Sequence, residues 1–383
     1  MSLNPAPAAP VARLIYAASE TCSDLAYCSG FFAPDPFLWY ETTSERGMLV
    51  SVLELGRARK EAKAGIRVRS LDEVRRAWGL PESRRAMEHL IAGLARETGV
   101  RQWAVPEDFP LGLARKLGRR RLRLQPRSPF CPERERKSPP EVECVREGVR
   151  LAEAGLERGL EVLRQAAIGA DGLLRWQGRI LEADDLRGEI VATIARLGGT
   201  AARTITAAGP HGADPHDMGS GPIPAHVPIV IDIFPRVDRT GYFGDLTRTV
   251  VKGQATATVR QAFAAVRSAQ EAAFAAIAPG VSGKDVHGRA AEALRAAGFA
   301  TEAQADPPRG FFHGLGHGLG LEVHEGPGLH SRNDKPLQTG HVVTVEPGLY
   351  YPEWGGIRLE DVVVVTANGC ENLTTVAKIL EIP

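Results

Sequence analysis

Short apolar runs and stretches of helical spacing alternate along the first third of the chain. Residues 47–53 form an apolar run that predicts a buried strand, and residues 71–78 and 83–98 have the spacing of amphipathic helices. Gly99 follows the second helical stretch in the position where glycine commonly ends a helix. The alternation of strands and helices indicates a small α/β domain over residues 11–137.

From Ser138 onward the pattern changes to long helices and paired strands. Ser138, two prolines and Glu141 form the capping signature of a helix start. Helical spacing covers four stretches, residues 141–167, 185–197, 255–278 and 286–297. Apolar runs that predict strands cover residues 229–234, 244–252, 342–346, 357–365 and 375–382. We therefore expect an α+β domain over residues 138–383, with helices packed on a mostly antiparallel sheet.

Two segments at the borders of the small domain lack these patterns. Residues 1–10 contain three prolines and are expected to form a loose N-terminal arm. Residues 115–137 are rich in arginine and proline, which predicts a solvated connection between the domains. A single basic cluster in a chain of net charge +1 gives little support to nucleic-acid binding.

Composition restricts the class of protein further. The chain has 43 % hydrophobic residues, but no run approaches the roughly 18 apolar residues that predict a membrane span. The N-terminus lacks a basic segment followed by an apolar core, so no signal peptide is predicted. Five scattered cysteines are typical of reduced thiols. These features favour a cytoplasmic protein without membrane contact.

Four acids stand next to or within apolar strands, in two similar patterns. Asp232 and Asp245 belong to one candidate hairpin, and Glu346 and Glu360 belong to another. An ionised carboxylate in an apolar strand is costly unless it is paired or binds a metal. Four converging carboxylates would carry a charge of about −4, which protonation would relieve in part. Two divalent cations would neutralise it fully, and the alternative is four unrelated acids.

Histidines in glycine-rich segments provide the second signal. Residues 312–325 include His317 and His324, seven positions apart in a run where glycine lets backbone approach a ligand closely. His211 and His216 lie in a loop before the strand of Asp232. We expect His216 in the site and His211 at the surface. Oxygen-rich ligation with the imidazole of His317 suits Mn²⁺, Co²⁺ or Fe²⁺, and Zn²⁺ is also compatible.

The segments HGLGHGLGLEVHE and TVEPGLYYPEWGGIRLEDVVVVT carry a resemblance to a known family. The second domain, from about Lys137 to the end, resembles the pita-bread metallopeptidases, which include methionine aminopeptidases, prolidases and aminopeptidase P. The first domain looks like the smaller N-terminal domain of the prolidase, aminopeptidase P and creatinase branch. Methionine aminopeptidases lack that domain. The resemblance implies a pita-bread domain preceded by a creatinase-type α/β domain.

The resemblance also implies roles for individual residues. Five residues fall on the family's positions for ligands of two divalent ions, namely Asp232, Asp245, His317, Glu346 and Glu360. Glu346 also matches the general base and proton shuttle. His216 and His324 match histidines that contact the substrate and stabilise the intermediate or leaving group. Arg358 is expected among the substrate-binding residues and matches an arginine that steadies the ligand shell, and Arg332 has the spacing of a carboxylate-binding arginine in some prolidases.

The implied activity is hydrolysis of the bond between an N-terminal residue and a following proline, in dipeptides or short peptides. The resemblance also implies a homodimer. Two alternatives come from other classes, a creatinase-like C–N hydrolase and a pita-bread binding protein without catalysis. The complete set of five ligands argues against both, because a metal-free site has no need of four converging acids and binding proteins of this fold typically lose ligands.

One departure from the family pattern concerns the first hairpin. The family usually places the two aspartates eleven residues apart, with glycine two residues after the first. Here Asp232 and Asp245 are thirteen apart, and Phe234 stands where the glycine is expected. Because side chains alternate along a strand, an even insertion preserves the face that each residue uses. We therefore expect residues 235–240 to absorb the insertion, with Asp238 as a solvated turn residue.

Overall fold

The structure is a computed structural model that describes residues 12–81 and 83–383. The expected N-terminal arm, residues 1–10, lies outside the described residues. The chain divides into two compact units, Met1–Arg134 and Glu135–Pro383, and each is described by itself. The division falls three residues before the boundary expected from the capping signature at Ser138. The assignment of these units as separate domains stays a prediction.

The small unit contains a mixed six-stranded sheet with helices between its strands. Its strands are β1 Arg13–Ala17, β2 Phe37–Glu41, β3 Arg46–Val50, β4 Ile66–Ser70, β5 Gln102–Pro106 and β6 Arg123–Arg127. Its helices are α1 Ser23–Ser29, α2 Leu55–Glu61, α3 Leu71–Ala77, α4 Met87–Thr98 and α5 Leu111–Arg119. The strand order is β4-β3-β2-β1-β5-β6, in which β2 runs antiparallel to both of its neighbours. This is an α/β arrangement.

Two element boundaries in the small unit differ from the sequence prediction. The strand predicted at 47–53 ends at Val50, and Val52 and Leu53 are 62 % and 85 % exposed. The apolar run therefore continues past the buried part of the strand into a surface turn. The helix predicted from residue 83 begins at Met87, and Gly99 ends it in the left-handed conformation, as predicted.

The large unit consists of four long helices and short strands, with a single 3-10 turn at Gly209–Ala213 among the elements that follow Ser138. The helices are α6 Pro139–Gln165, α7 Ala183–Arg196, α8 Ala257–Ala276 and α9 Gly283–Ala296. The first ten strands are β7 Ala167–Ile168, β8 Leu174–Trp176, β9 Arg179–Ile180, β10 Gly199–Thr200, β11 Ile205–Ala208, β12 Pro228–Ile233, β13 Arg236–Val237, β14 Leu246–Lys252, β15 Gly316–Gly318 and β16 Glu325–Leu329. The remaining strands are β17 Val342–Val345, β18 Gly348–Tyr351, β19 Gly355–Arg358, β20 Asp361–Thr366, β21 Gly369–Asn372 and β22 Glu381–Ile382.

Two sheets of the large unit meet where the candidate site lies. One has the order β11-β12-β14-β22 and the other β16-β15-β17-β20-β21. They are joined by a backbone hydrogen bond of 3.0 Å from the N–H of Glu360 to the carbonyl oxygen of Thr247. Helices α6 and α7 pack against the first sheet, and α8 and α9 pack against the second. The mixed composition and the mostly antiparallel pairing agree with the predicted α+β class.

Helix α6 begins as its sequence predicts. The N–H of Ser138 donates to the carboxylate of Glu141 at 2.9 Å, and the two side chains form a capping box that spans the two prolines between them. No helix within residues 12–81 and 83–383 is long and apolar enough to cross a membrane.

The strand predicted at residues 375–382 is wrong for most of its length, because only Glu381–Ile382 pairs with a neighbouring strand. Side chains satisfy the preceding backbone instead. The N–H of Val376 donates to Glu153 at 3.0 Å, and Arg248 donates to the carbonyl oxygen of Val376 at 2.8 Å. A segment whose polar groups are satisfied in this way does not need a strand partner.

We predict that Gly148→Ala destabilises the large unit by roughly 1–3 kcal/mol, the usual cost of overpacking. A Cβ atom at Gly148 on α6 would lie 2.4 Å from the backbone nitrogen of Gly244, directly before Asp245. Gly188→Ala on α7 is the matched control, because no atom outside its own helix lies within 4 Å of that Cβ position. The control should be neutral or stabilising by up to about 1 kcal/mol. Urea denaturation of both variants would measure this, and equal stabilities would contradict the prediction.

Candidate metal centre

The first pair of acids lies on one face of the β12–β14 hairpin. Asp232 on β12 is opposite Thr247 on β14 in the antiparallel ladder. Asp245 lies two residues before Thr247, and alternate residues of a strand share a face. The carboxylates of Asp232 and Asp245 therefore point to the same side of the sheet, and Ile231 and Ile233 point into the apolar core on the other side.

The two additional residues of this hairpin extend it without shifting its register. Beyond β12, the N–H of Gly244 donates to the carbonyl oxygen of Pro235 at 2.9 Å, and the N–H of Val237 donates to that of Tyr242 at 2.8 Å. Both bonds continue the register that pairs Ile233 with Leu246. The insertion thus lengthens the hairpin by one cross-strand pair, and Asp245 keeps the face of the first aspartate.

The second pair of acids lies at the ends of two adjacent strands. Glu346 directly follows β17 and Glu360 directly precedes β20. Because Val345 pairs with Asp361, the register places Glu346 and Glu360 opposite each other just beyond the ladder. The N–H of Glu360 also donates to Thr247, which connects this pair of acids to the first hairpin.

His317 on β15 projects between the two pairs of acids. Its Nε2 atom lies 3.3 Å from Oε1 of Glu346 and 3.7 Å from Oδ2 of Asp245. Ligand atoms of Asp245, His317 and Glu360 all lie within 4.8 Å of one another, close enough to share a metal ion. Asp232 does not belong to this group of three, and its Oδ2 atom accepts a hydrogen bond from Arg358.

The glycines around His317 allow its strand to fit between two neighbours. A Cβ atom at Gly316 would lie 2.0 Å from the carbonyl oxygen of Thr344, and one at Gly318 would lie 2.2 Å from that of Gly326. Only glycine can occupy such positions without displacing the backbone. The alternation of glycine with histidine in this run is thus explained by close packing of three strands around one imidazole.

Arg358 on β19 connects three members of the site. Its Nη2 atom donates to Oδ2 of Asp232 at 2.6 Å, and its Nη1 atom donates to the hydroxyl of Tyr350 at 2.9 Å. Its Nε atom donates at 3.3 Å to the hydroxyl of Thr247, which itself donates to Glu360 at 2.7 Å. The guanidinium is buried, so these contacts fix the orientation of two carboxylates from different strands.

Sequence reasoning assigned no role to four residues that support the acids, namely Thr247, Thr344, Tyr350 and His313. The hydroxyl of Thr344 accepts a hydrogen bond from the N–H of His317 at 3.0 Å, and Nε2 of His313 lies 3.0 Å from the hydroxyl of Tyr350. A signal existed for both threonines, because each lies two residues from an acid on the same strand face. No pattern in the sequence marked the contact between His313 and Tyr350.

The other predicted residues occupy different surroundings. The ring of His324 lies 4.3 Å from that of His317, centroid to centroid, at an angle of 89°. His216 is exposed. Burial lowers the pKa of the His324 imidazole, and the electrostatic interaction with His216 adds to this effect. His211 instead contacts Asp217 at 2.7 Å.

Arg332 is exposed in a turn, where its backbone N–H donates to His330. The roles assigned to these residues stay predictions.

The acids disfavour one another's charge. Burial, followed by the charges of neighbouring acids, raises the pKa of Asp245 and of Glu360 well above the usual range. Burial raises the pKa of Glu346 to about 8, although Arg358 acts in the opposite direction. Burial lowers the pKa of His317 to about 4, and His324 adds to this effect. The protein alone therefore favours protonated acids and a neutral imidazole at this place.

These residues fit divalent cations. The Oδ1 atom of Asp232 is buried and has no hydrogen-bond partner among the described residues, which is costly for a carboxylate oxygen unless a cation binds it. A neutral imidazole and several carboxylate oxygens form a donor set of the kind that Mn²⁺, Co²⁺, Fe²⁺ and Zn²⁺ bind. His317 is already in the ligating form, since the pKa of its imidazole lies near 4.

Comparison with known proteins gives a family match and close structural likenesses. The sequence profile of metallopeptidase family M24 matches residues 143–367, which is more than half of the chain. The Xaa-Pro dipeptidase of Pyrococcus furiosus is 37 % identical over 172 residues, 45 % of this chain and 47 % of that protein. Across several curated relatives, the chain spans between 36 % and 58 % of their length.

The solved structures extend the likeness to both units. The prolidase from Pyrococcus horikoshii matches with a TM-score of 0.78 and 24 % identity, over 97 % of this chain and 95 % of that chain. The X-Pro aminopeptidase from Thermotoga maritima matches with a TM-score of 0.79 and 25 % identity, over 96 % and 97 %. The chain thus has the expected pita-bread fold preceded by a smaller N-terminal α/β part.

We predict that metal-free protein loses stability as pH rises from about 5 to 8. The folded-state pKa of Glu346 lies near 8, above its ordinary value of 4.5, so the stabilising contribution of the protonated carboxyl is full below 4.5 and is lost as pH rises through 8. Each proton released on unfolding lowers the free energy of unfolding by roughly 1 kcal/mol per pH unit. Urea denaturation of the chelated protein at several pH values would measure this loss of stability. Glu346→Gln, which cannot ionise, should show a flatter pH dependence, and identical slopes would contradict the prediction.

Proposed function

Because the chain belongs to metallopeptidase family M24, we propose that it is a two-metal peptidase that cleaves the bond between an N-terminal residue and a following proline. The substrates would be dipeptides or short peptides with proline at the second position. Several relatives carry the name Xaa-Pro dipeptidase, which supports this choice of substrate within the family. The convergence of four acids and one imidazole between two sheets is the observation that carries the proposal.

The five proposed metal ligands differ in their positions within the site. Asp245, His317 and Glu360 have ligand atoms close enough to share an ion, and His317 lies within 3.3 Å of Glu346. Asp232 has one oxygen held by Arg358 and the other buried without a partner. We infer that these five residues hold two divalent ions, with manganese or cobalt favoured and zinc or iron compatible. Such ions supply polarisation of the scissile carbonyl and a water molecule of lowered pKa.

Glu346 is our candidate for the proton transfers. Its carboxyl is mostly buried, and the hydroxyl of Thr344 donates to its Oε1 atom at 3.4 Å. A glutamate that lies among the proposed ligands, 3.3 Å from Nε2 of His317, can accept a proton from the attacking water and return it later. We propose that Glu346 delivers this proton to the proline nitrogen as the peptide bond breaks, since a tertiary amide nitrogen must be protonated to leave.

His216 and His324 are proposed to bind the substrate. His324 stands edge to face against His317, and His216 is exposed in the loop before β12. Exposure leaves the imidazole of His216 available to a ligand. Arg358 donates to the carbonyl oxygen of Pro215 at 3.4 Å, next to His216, and to Asp232. Arg358 therefore acts as a positioning residue that links the histidine loop to the acids.

Two further features belong to the same proposal. A homodimer and a cytoplasmic location are expected for a peptidase of this kind. A creatinase-like C–N hydrolase remains the alternative within the same fold. The four converging acids favour the metal-dependent peptidase, because a site that works without cations would place costly like charges together for no gain.

We predict that chelated protein cleaves an Xaa-Pro dipeptide only after Mn²⁺ or Co²⁺ is restored, and that a proline-free dipeptide is not cleaved. Asp245→Asn should reduce kcat/KM by about a hundredfold or more, because it removes a buried ligand charge. Asp238→Asn is the matched control, since Asp238 is an exposed acid in the turn of the same hairpin. Chromatography of the released products would measure the metal dependence and the activity of both variants. Cleavage that survives chelation, or a control as inactive as Asp245→Asn, would argue against the proposal.

A second prediction separates dipeptidase from aminopeptidase activity. If Arg332 binds the carboxylate that follows proline in a dipeptide, Arg332→Ala should raise KM for an Xaa-Pro dipeptide by about tenfold, the loss of one charged contact. Cleavage of an Xaa-Pro-Xaa tripeptide should change little. Lys335→Ala removes an exposed charge from the same turn and serves as control. Equal effects of the Arg332 variant on both substrates would contradict this role.

A further inference from the structure

Phe234 lies beside the acids although no role has been assigned to it. The ladder pairs Ile233 with Leu246, and the N–H of Gly244 continues the same register by donating to Pro235. Phe234 is therefore directly opposite Asp245. Ladder bonding is interrupted one pair further on, because Pro235 has no N–H to donate to Gly244. Side chains of directly opposed residues lie about 4.5–5.5 Å apart at Cβ.

The side chain of Phe234 also shares a face with Asp232, which is two residues earlier on the same strand. Phe234 is half-buried, in contrast to the fully buried Ile233 next to it. Within the described parts of the chain, Ile233 belongs to an apolar core cluster of the large unit and Phe234 to none. A phenyl ring in this position points to the acids rather than to the core.

The chemistry of the substrate indicates which part of it meets this ring. The free α-amino group of the first residue is the cationic group next to the scissile bond. Asp232 and Asp245 are the acids nearest to Phe234 in the ladder. Because acids attract a cationic amino group, we expect the amino group at the end of the site that the ring of Phe234 borders. The side chain of the first residue projects from the carbon that bears the amino group and lies near it.

We propose that Phe234 forms a wall of the pocket for the first residue and restricts that residue to small side chains. The inference rests on the proposed Xaa-Pro specificity and adds the preferred class of first residue. A ring occupies space that a glycine at this position would leave open. The result is a preference for glycine or alanine over phenylalanine or tryptophan before proline.

Metal-restored wild type, Phe234→Ala and Phe234→Leu would be compared on Ala-Pro and Phe-Pro. The ratio of kcat/KM for Phe-Pro to that for Ala-Pro should rise by about tenfold or more in Phe234→Ala, since each methylene excluded from a pocket is worth about tenfold or more. Phe234→Leu keeps part of the volume and should give an intermediate ratio. It also keeps the test valid if Phe234→Ala fails to fold. Phe274→Ala, which removes a half-buried ring from α8, should leave the ratio unchanged.

Equilibrium binding of the same two dipeptides to metal-stripped protein, measured by saturation-transfer NMR, provides a readout without catalysis. A shifted binding ratio in the Phe234 variants, together with no cleavage by any form, would support the wall and overturn the proposed function. Cleavage by wild type with ratios that stay within twofold in both variants would overturn the wall and leave the function in place. Absence of both binding and cleavage would overturn the wall and the proposed function together.

Discussion

Like charges buried in one place are the constraint on which the large unit depends. Asp232, Asp245 and Glu360 are at most 9 % exposed, and Glu346 is brought next to them across a sheet edge. Carboxylates at this depth repel one another, and water screens them little. The single guanidinium of Arg358 balances only part of their charge. The fold therefore holds together an arrangement that the protein alone disfavours, and the binding of cations compensates for it.

Tight backbone packing provides the stiffness that this arrangement requires. Gly148 on α6 lies against Gly244, so the helix fixes the chain one residue before Asp245. Gly316 and Gly318 let β15 approach its neighbours closely, which sets the position of His317. In each case the missing side chain lets a backbone segment carry a proposed metal ligand into position. Rigid elements on both sides then keep the carboxylates close in spite of their repulsion.

The sequence predicted the acids better than it predicted the surrounding contacts. Asp232 and Glu360 could be recognised because a charged residue in an apolar strand is unusual and the pattern occurs twice. Thr247 carried only the signal of its two-residue spacing from Asp245, and Tyr350 carried none, because a tyrosine near a turn is ordinary. Their importance depends on Arg358, which reaches them from another strand. The prediction of a strand at residues 375–382 failed for the same reason, since Arg248 and Glu153 satisfy the backbone of that segment from distant positions.

The length of the first hairpin shows how strand geometry limits variation in this site. An insertion of one residue would turn Asp245 to the apolar side, where α6 and α7 pack and no cation could reach it. An insertion of two residues adds one cross-strand pair and keeps both aspartates facing the same way. Independently of that pair, phenylalanine stands at the family's glycine position, residue 234, opposite Asp245 and on the face of the acids. This substitution leaves the proposed metal ligands in place and alters the space next to them, so the proposed specificity can vary while the geometry of the acids stays fixed.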